Sequence, residues 1–344
     1  MSGVVLSADA VKAAARASRF TLVGLAPAAA LDPAPLRAWL DAGYAADMDW
    51  MSRRLDERLD PRVVLAGAQT VIALAVAYHR PPGERASIAR YARGRDYHYA
   101  HRDGMKALRK RLLALDPTLE TYAAVDTGVA MEKVWAERAG LGWIGKNGCL
   151  INPKLGSWLT LSVMFVDRAV DAYDRPHDRR CGDCTLCLGA CPTQAFPSPG
   201  VVDAGRCIAY QSIENRGTVP EALRPAFGGR LFGCDVCQEV CPWNHRPQAE
   251  GDPRFSPRPL ADLTAGEVAA LSREEFERMT AGMAVARAQY DGLRRNALYA
   301  LGSGGDRSAR ELLDRLARDD DSEAVRDAAR WALARLDQGS GRVG

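Results

Sequence analysis

The distribution of cysteine constrains this chain more than any other feature of its sequence. The chain has 344 residues and nine cysteines, of which eight lie between positions 181 and 241 and the ninth is Cys149. Four of them precede Pro192 with the spacing C-x2-C-x2-C-x3-C-P: Cys181, Cys184, Cys187 and Cys191. This spacing is the 4Fe-4S ligand run of bacterial ferredoxins. The first prediction is therefore a site that transfers single electrons.

A second group of cysteines repeats the end of that motif. Cys234, Cys237 and Cys241 precede Pro242, and Cys207 stands apart as the candidate for the missing first position. In two-cluster ferredoxins the fourth cysteine of a run binds the other cluster. We therefore expect Cys181, Cys184, Cys187 and Cys241 at one cluster, and Cys191, Cys207, Cys234 and Cys237 at the other. Structural zinc is the alternative, although it does not require a third cysteine in each run. Cys149 is then left over, most simply as a small buried apolar residue.

The rest of the chain divides into two further parts. Short apolar runs at 21–27, 70–78 and 119–126 predict strands, and helices are expected from Ser7 to about Ala17, over 33–42 and over 105–115. This alternation predicts an α/β domain over residues 1–170, followed by a ferredoxin-like domain over 171–250. In the all-α remainder, 251–340, two segments match at an offset of 32 residues, pairing Arg294 with Arg326 and Tyr299 with Trp331. Such an offset is typical of a HEAT-like helical repeat, the alternative being chance similarity of two helices rich in alanine and arginine.

The positive charge of the chain is concentrated in one segment. The net charge is only +3, but the segment from His79 to Arg111 holds ten basic residues against three acidic ones, with three tyrosines between them. This pattern predicts contact with phosphate or RNA, and a solvated helix face is the alternative. The sequence shows no export signal and no apolar run near the roughly 18 residues of a membrane helix. We therefore expect a cytoplasmic protein with no membrane contact, whose thiols stay reduced.

Residues 124–151 combine an acidic residue with glycine-rich turns. Asp126 follows an apolar strand, where burial can raise the pKa of a carboxyl group enough for proton donation near neutral pH. An Asx turn is the structural alternative. Asp126 to Gly128 also match the D-T-G of aspartic proteases, which would need a second carboxylate. Gly140, Gly145 and Lys146 fit G-x4-G-K, but Asn147 replaces the Ser or Thr of a P-loop.

Several of these segments together resemble the epoxyqueuosine reductases, cobalamin-dependent iron-sulfur enzymes of tRNA modification. They are VDTGVAMEK, AERAGLGWIGKNGCLI, ARGRDYH at 92–98 and the two cysteine runs separated by Cys207. The resemblance covers about residues 1–340 and implies the last step of queuosine formation, in which the epoxide oxygen of epoxyqueuosine at the wobble base is removed. It implies a base-off cobalamin in the first domain, two 4Fe-4S clusters and a helical domain that holds the anticodon arm. Asp126 matches the family's proposed proton donor.

The resemblance also suggests contacts and partners. Expected cobalamin contacts are Arg58, Asp96, Tyr97, His98, Asp126, Lys146, Asn147, Ser157 and Asp235. The basic segment, Arg294 and Arg295 are expected to contact tRNA phosphates. Expected partners are a tRNA with a queuosine-type anticodon and a reduced donor of the flavodoxin or ferredoxin type, with the protein a monomer. The alternatives are an enzyme like the reductive dehalogenases, which share a corrinoid and two clusters, and a ferredoxin-type electron-transfer protein without a corrinoid. At Gly148 and Cys149 the chain departs from the Thr and apolar residue expected in many relatives.

Overall fold

A four-stranded antiparallel sheet organises the first half of the chain. The computed structural model describes residues 5–81, 88–245 and 251–338. The strand order is β1-β2-β6-β3, with β1 Leu22–Pro27, β2 Thr70–Ala77, β3 Thr121–Ala124 and β6 Leu159–Val166. A separate two-stranded ribbon pairs β4 Trp143–Ile144 with β5 Leu150–Ile151. The strands predicted at 21–27, 70–78 and 119–126 are confirmed, but every pair is antiparallel, so the sheet is not of the parallel α/β type.

Strand β2 is apolar on both sides because both faces of the sheet are covered. Ile72, Leu74 and Val76 pack with residues of helices α1 Ala8–Ala17 and α5 Tyr97–Leu115. The alternate residues Val71, Ala73 and Ala75 pack against helix α6 Glu132–Arg138 on the other face. A strand buried on both faces reads as a continuous apolar run, which is why it was recognisable in the sequence.

The helix starts follow their capping residues. Ser7 caps α1, and the helix ends at Ala17 as predicted. Helix α5 begins at Tyr97, eight residues before the predicted start at 105, because the Asp96 carboxylate accepts a hydrogen bond from the backbone N–H of His98. The first half also contains α2 Ala34–Asp41, α3 Leu55–Leu59 and α4 Pro61–Val64.

The cysteine-rich region consists of short helices joined by tight loops. These are α7 Leu186–Gly189, α8 Ile208–Ile213 and α9 Val236–Glu239. Each begins within three residues of a cysteine, so the helices fix the positions of the thiols.

The described C-terminal part is helical, with α10 Ala265–Ala270, α11 Arg273–Thr280, α12 Gln289–Gly304, α13 Arg310–Asp319 and α14 Glu323–Gln338. The rings of Tyr299 on α12 and Trp331 on α14 meet edge to face, with centroids 5.6 Å apart. The apolar core of these C-terminal helices also contains Val219 and Phe227, so apolar packing crosses the predicted domain boundary at residue 250. Among the described residues, no helix combines the length and apolar character needed to span a membrane.

Candidate active site

A large cavity lies where all three parts of the chain meet. It has a volume of about 830 Å³. Its walls come from residues 48–58, the start of α5, the loop after β3, the end of α8 and residues 283–287. It contains five of the predicted site residues: Arg58, Asp96, Tyr97, His98 and Asp126.

Asp126 is carried by a tight loop at the end of β3. Its φ of +53° is a left-handed conformation that is uncommon for residues other than glycine. The backbone N–H of Asp126 donates to Glu132 Oε1 at 2.8 Å. A Cβ at Gly128 would lie 2.6 Å from the Cβ of Ala124, so only glycine fits there. The loop therefore holds the Asp126 carboxylate out into the cavity, where 63% of its side chain is accessible.

A histidine connects Asp126 to a second carboxylate. His98 Nδ1 lies 2.7 Å from Asp96 Oδ1, and His98 Nε2 lies 3.5 Å from Asp126 Oδ2. The ring of Tyr97 stacks on the imidazole with centroids 4.3 Å apart, and the Tyr97 side chain is hydrogen-bonded to Asp126. Three consecutive residues at the start of α5 thus fix the position of Asp126.

This arrangement corrects the expected protonation of Asp126. The hydrogen bond with His98 holds the pKa of the Asp126 carboxyl below its usual value, outweighing the effect of burial. Burial disfavours the charged form of His98, but the hydrogen bonds with Asp126 and Asp96 raise its pKa to about 9. Burial raises the pKa of Glu132 to about 7. At neutral pH the proton of the pair therefore resides on His98, and Asp126 is a carboxylate.

Cationic and aromatic groups line the cavity beside these residues. Arg53, Arg54 and Arg58 come from the segment before α4. Arg287 forms a two-pronged ion pair with Glu214, at 3.0 and 2.7 Å, and its guanidinium lies 5.6 Å from the Trp50 ring centroid. The cavity can therefore accept a large, flat or anionic ligand.

The first cysteine group surrounds a smaller hollow. Cys181, Cys184, Cys187 and Cys241 line a space of about 290 Å³ together with Lys146 and Asn147. Because Cys241 joins the first run rather than its own, the structure brings together the four residues expected from the crossed pattern. All four are free thiols, as a cluster site requires.

The second group forms around Cys207. Its thiol interacts electrostatically with those of Cys191 and Cys234, and Cys237 interacts with both Cys207 and Cys234. Cys149 is only half-buried, and its thiol is hydrogen-bonded to that of Cys237. The thiol is enclosed, as expected of a small buried residue, but the β4–β5 turn also places it against the second thiol group.

Four predicted cofactor contacts lie away from the large cavity. Lys146 Nζ donates to the carbonyl oxygen of Gly182, and Asn147 Nδ2 donates to that of Cys237. The buried Ser157 hydroxyl donates to Gln238. The buried Asp235 accepts a hydrogen bond from the backbone N–H of Arg90 at 2.8 Å. These four side chains are therefore hydrogen-bonded within the protein beside the cysteine loops, and their contact with a cofactor stays a prediction.

The predicted tRNA contacts at Arg294 and Arg295 are wrong. Both side chains are buried. Arg294 pairs with Asp320 and donates to the carbonyl oxygen of Ala269. Arg295 donates to three backbone carbonyls between residues 211 and 217. Neither guanidinium is available to a phosphate, because both serve to join segments of the fold.

The basic segment is also divided by the fold. Arg80, Arg90 and Arg93 are buried, and Arg85 lies outside the described residues. The exposed members line the outer face of α5: Arg102, Lys106, Arg109, Lys110 and Arg111. This face fits the alternative of a solvated helix surface.

Sequence reasoning missed Glu132, Trp50, Glu214 and Arg287. Glu132 lies within the quoted VDTGVAMEK segment, six residues after Asp126, and that spacing was an available signal. The other three reach the cavity from distant segments, and no local pattern marks them.

Comparison with known proteins agrees with this geometry. Residues 58–127 match the family model of epoxyqueuosine reductase QueG, and residues 180–244 match that of a 4Fe-4S double cluster binding domain. The epoxyqueuosine reductase of Gloeobacter violaceus is 45% identical over 313 residues, which cover 87% of this chain and 97% of that protein.

Solved structures give the same result. A crystal structure of epoxyqueuosine reductase with an epoxyqueuosine-modified tRNA-Tyr stem loop has a TM-score of 0.89 and 29% identity, covering 95% of this chain and 89% of that one. The Bacillus subtilis enzyme, with a catalytic loop bearing an aspartate swung out of the active site, has a TM-score of 0.87 and 28% identity, covering 95% and 90%. The resemblance seen in the sequence is confirmed: the chain belongs to the epoxyqueuosine reductases, oxidoreductases that reduce epoxyqueuosine.

Proposed function

We propose that the chain reduces epoxyqueuosine to queuosine at the wobble position of tRNA, the last step of queuosine formation, with Asp126 acting on the epoxide oxygen. The observation that carries this proposal is the Asp126 carboxylate, held in the cavity by His98 and Tyr97. A relative was solved with a modified tRNA stem loop, which supports tRNA as the substrate carrier. We assign the Asp126 loop as the counterpart of the catalytic loop in the Bacillus subtilis enzyme.

Cobalamin, bound with its benzimidazole off the cobalt, is the cofactor that we propose for the cavity. The volume of about 830 Å³ lies within the range of cofactor sites, and Tyr97, Phe232 and Met283 give it apolar walls. The candidate contacts that line the cavity are Arg58, Asp96, Tyr97, His98 and Asp126. We also propose Lys146, Asn147, Ser157 and Asp235, which lie beside the cysteine loops, as further contacts. When bound, cobalamin supplies a cobalt that accepts single electrons and acts on an epoxide carbon.

Two 4Fe-4S clusters are the proposed occupants of the cysteine groups. The double-cluster match over 180–244 and the two groups of free thiols support this assignment. We propose Cys181, Cys184, Cys187 and Cys241 for one cluster and Cys191, Cys207, Cys234 and Cys237 for the other. A reduced flavodoxin or ferredoxin-type protein is the proposed electron donor.

The proposed role of this chain's residues is to bind the modified nucleoside and to control protons. Asp126 delivers a proton to the epoxide oxygen as the carbon–oxygen bond breaks, which avoids a free alkoxide. Tyr97 orients the Asp126 carboxylate through their hydrogen bond.

We further propose a division into the cobalamin domain 1–170, the cluster domain 171–250 and a HEAT-like, tRNA-holding domain 251–340. The contact between Tyr299 and Trp331, which the 32-residue offset pairs, supports the repeat. A cytoplasmic monomer remains the proposed state of the protein.

The decisive experiment compares Asp126→Asn with the wild type, using an anticodon stem loop that carries epoxyqueuosine and mass spectrometry of the product. We expect Asp126→Asn to lose turnover while the absorption spectra of clusters and cobalamin stay unchanged. The matched control is Asp103→Asn, because Asp103 lies exposed on α5, outside the cavity. Near-normal conversion by Asp126→Asn would contradict the role of Asp126 as proton donor. Absence of cobalamin absorption bands in the reconstituted wild type would contradict the cofactor assignment.

A further inference from the structure

We infer that His98 is the proton source for Asp126, so that Asp96, His98 and Asp126 form a relay that recharges the carboxylate during each turnover. This inference rests on the proposed function, in which Asp126 protonates the epoxide oxygen. His98 acts through Asp126 and is therefore a positioning and proton-supplying residue rather than a group that contacts the substrate.

The proton balance of the reaction requires such a source. Removing an epoxide oxygen as water consumes two electrons and two protons and leaves a carbon–carbon double bond. In the proposed function a reduced donor supplies the electrons through the two clusters, and both protons go to the same oxygen. A single carboxyl group carries at most one proton, and Asp126 rests as a carboxylate. Each proton must therefore reach Asp126 from a neighbour before it reaches the oxygen.

The geometry selects His98 as that neighbour. Asp96 Oδ1 lies 2.7 Å from His98 Nδ1, and Asp126 Oδ2 lies 3.5 Å from His98 Nε2. A protonated His98 therefore directs one N–H toward each carboxylate. Nε2 is buried and has no closer hydrogen-bond partner among the described residues. The stacked Tyr97 ring prevents the imidazole from turning away. The proton on Nε2 can therefore move to Asp126 Oδ2 for the first transfer, leaving a neutral imidazole whose Nδ1–H remains bonded to Asp96. A proton from solvent water then restores the imidazolium, which supplies the second transfer in the same way.

The charges around the relay keep the proton on His98 in the resting state, so that it is in place when the epoxide oxygen draws a proton from Asp126. The charged and titratable groups near it lie on several elements. Those at the start of α5 are Asp96, Tyr97, His101 and Arg102, and those from the loop after β3 are Asp126 and Glu132. Those from the other cavity walls are Arg58, Tyr91, Glu214 and Arg287. His101 is held between the hydroxyls of Ser162 and Thr160, and burial lowers its pKa to about 3, so it stays neutral. Among the described residues at the relay, His98 is thus the histidine that carries a proton at neutral pH.

The test is the pH dependence of single-turnover conversion in the holoenzyme, reduced chemically so that no protein donor is involved. His98 is protonated below its pKa of about 9, so we expect the wild-type rate to fall as the pH rises through about 9. His98→Gln should reduce the rate by about 100-fold, a typical effect of losing a proton-transfer group, and should abolish this alkaline limb. His177→Gln, at a histidine outside the cavity, is the matched control.

Asp96→Asn separates proton supply from structural support. Asparagine still caps α5, but it removes one carboxylate that stabilises the imidazolium, so the limb should move down by about one to two pH units. Histidine-selective NMR of the full chain with oxidised clusters should record the same downward shift in the His98 pKa. An unmoved limb in Asp96→Asn, or wild-type rates in His98→Gln, would overturn the relay. Asp126→Asn keeps the two proposals apart: if it is inactive while His98→Gln is normal, only the relay fails, whereas near-normal Asp126→Asn removes the proposed function.

Discussion

At the scale of single residues, the position of Asp126 depends on one side chain that the mechanism does not otherwise use. A left-handed conformation costs a non-glycine residue roughly 1 kcal/mol, and the Glu132 carboxylate offsets this by accepting the Asp126 N–H at 2.8 Å. Glu132 therefore stabilises the loop in its working position. Because burial raises the pKa of Glu132, the strength of this contact depends on pH near neutrality.

Glu132→Ala should lower kcat by about two- to tenfold, because a hydrogen bond worth about 0.5–1.5 kcal/mol is lost and the loop leaves its position more often. Glu132→Gln keeps an acceptor oxygen, so its kcat should fall less than that of Glu132→Ala. Single-turnover rates above pH 7, where Glu132 is a carboxylate, provide the measurement, with Glu120→Ala on the exposed surface as the control. Equal rates in wild type and Glu132→Ala would show that the loop does not need this contact.

Residue types with fixed spacing were the predictable part of the site. The cysteine runs were recognisable because a cluster needs its ligands within one tight loop, which imposes local spacing. Arg294 and Arg295 were misassigned because no local spacing marks their partners. The backbone carbonyls to which they donate lie 25 to 84 residues away in the sequence. A sequence does not show whether an arginine meets a phosphate or a buried carbonyl.

At the scale of elements, α12 and α14 approach so closely that one position accepts only glycine. A Cβ at Gly302 would lie 2.8 Å from Ala332 Cα and 2.8 Å from the Trp331 ring, whereas a Cβ at Gly304 would meet nothing within 4 Å. Both glycines lie in the same helix, so they form a matched pair for measuring the cost of separating the two helices.

Gly302→Ala should lower the free energy of unfolding by about 1–3 kcal/mol, since overpacking forces the helices apart. Gly304→Ala should leave stability unchanged or raise it by up to about 1 kcal/mol through helix propensity. Denaturant unfolding followed by circular dichroism measures both variants. A Gly302→Ala protein as stable as Gly304→Ala would contradict this close helix contact.

Strands and helices were largely predictable at this scale, but strand direction was not. The α/β expectation came from the alternation of strands and helices. The apolar run at 70–78 indicates a strand buried on both faces, which is common in parallel sheets. In this protein, helices α1, α5 and α6 cover both faces of an antiparallel sheet. A strand buried on both faces has the same continuous apolar sequence whether its neighbours are parallel or antiparallel. Helix α5 was predicted too short because its first turn carries Tyr97 and His98, which line the cavity, so the turn lacks an apolar period.

At the scale of the whole molecule, the cavity is built from all three parts of the chain, which is why its lining could not be read from any single segment. The segment at 48–58, the start of α5 and residues 283–287 are far apart in sequence and meet at one opening. The basic residues on the outer face of α5 lie away from it: Lys110 is twelve residues along the helix from His98, about 18 Å. An RNA whose modified base enters the cavity should therefore contact the cations near the opening rather than those on α5.

This expectation is tested by comparing Arg53→Gln with Lys110→Gln. Arg53 and Lys110 are both exposed, but of the two only Arg53 lines the cavity. Loss of one phosphate contact should weaken binding of an anticodon stem loop and reduce the salt slope, log Kd against log salt concentration, by about 0.7 to 0.9. Fluorescence anisotropy across a salt series gives both quantities, and Lys110→Gln should keep the wild-type slope. The opposite outcome, a reduced slope in Lys110→Gln alone, would place the RNA along α5 and restore the basic segment as its binding face.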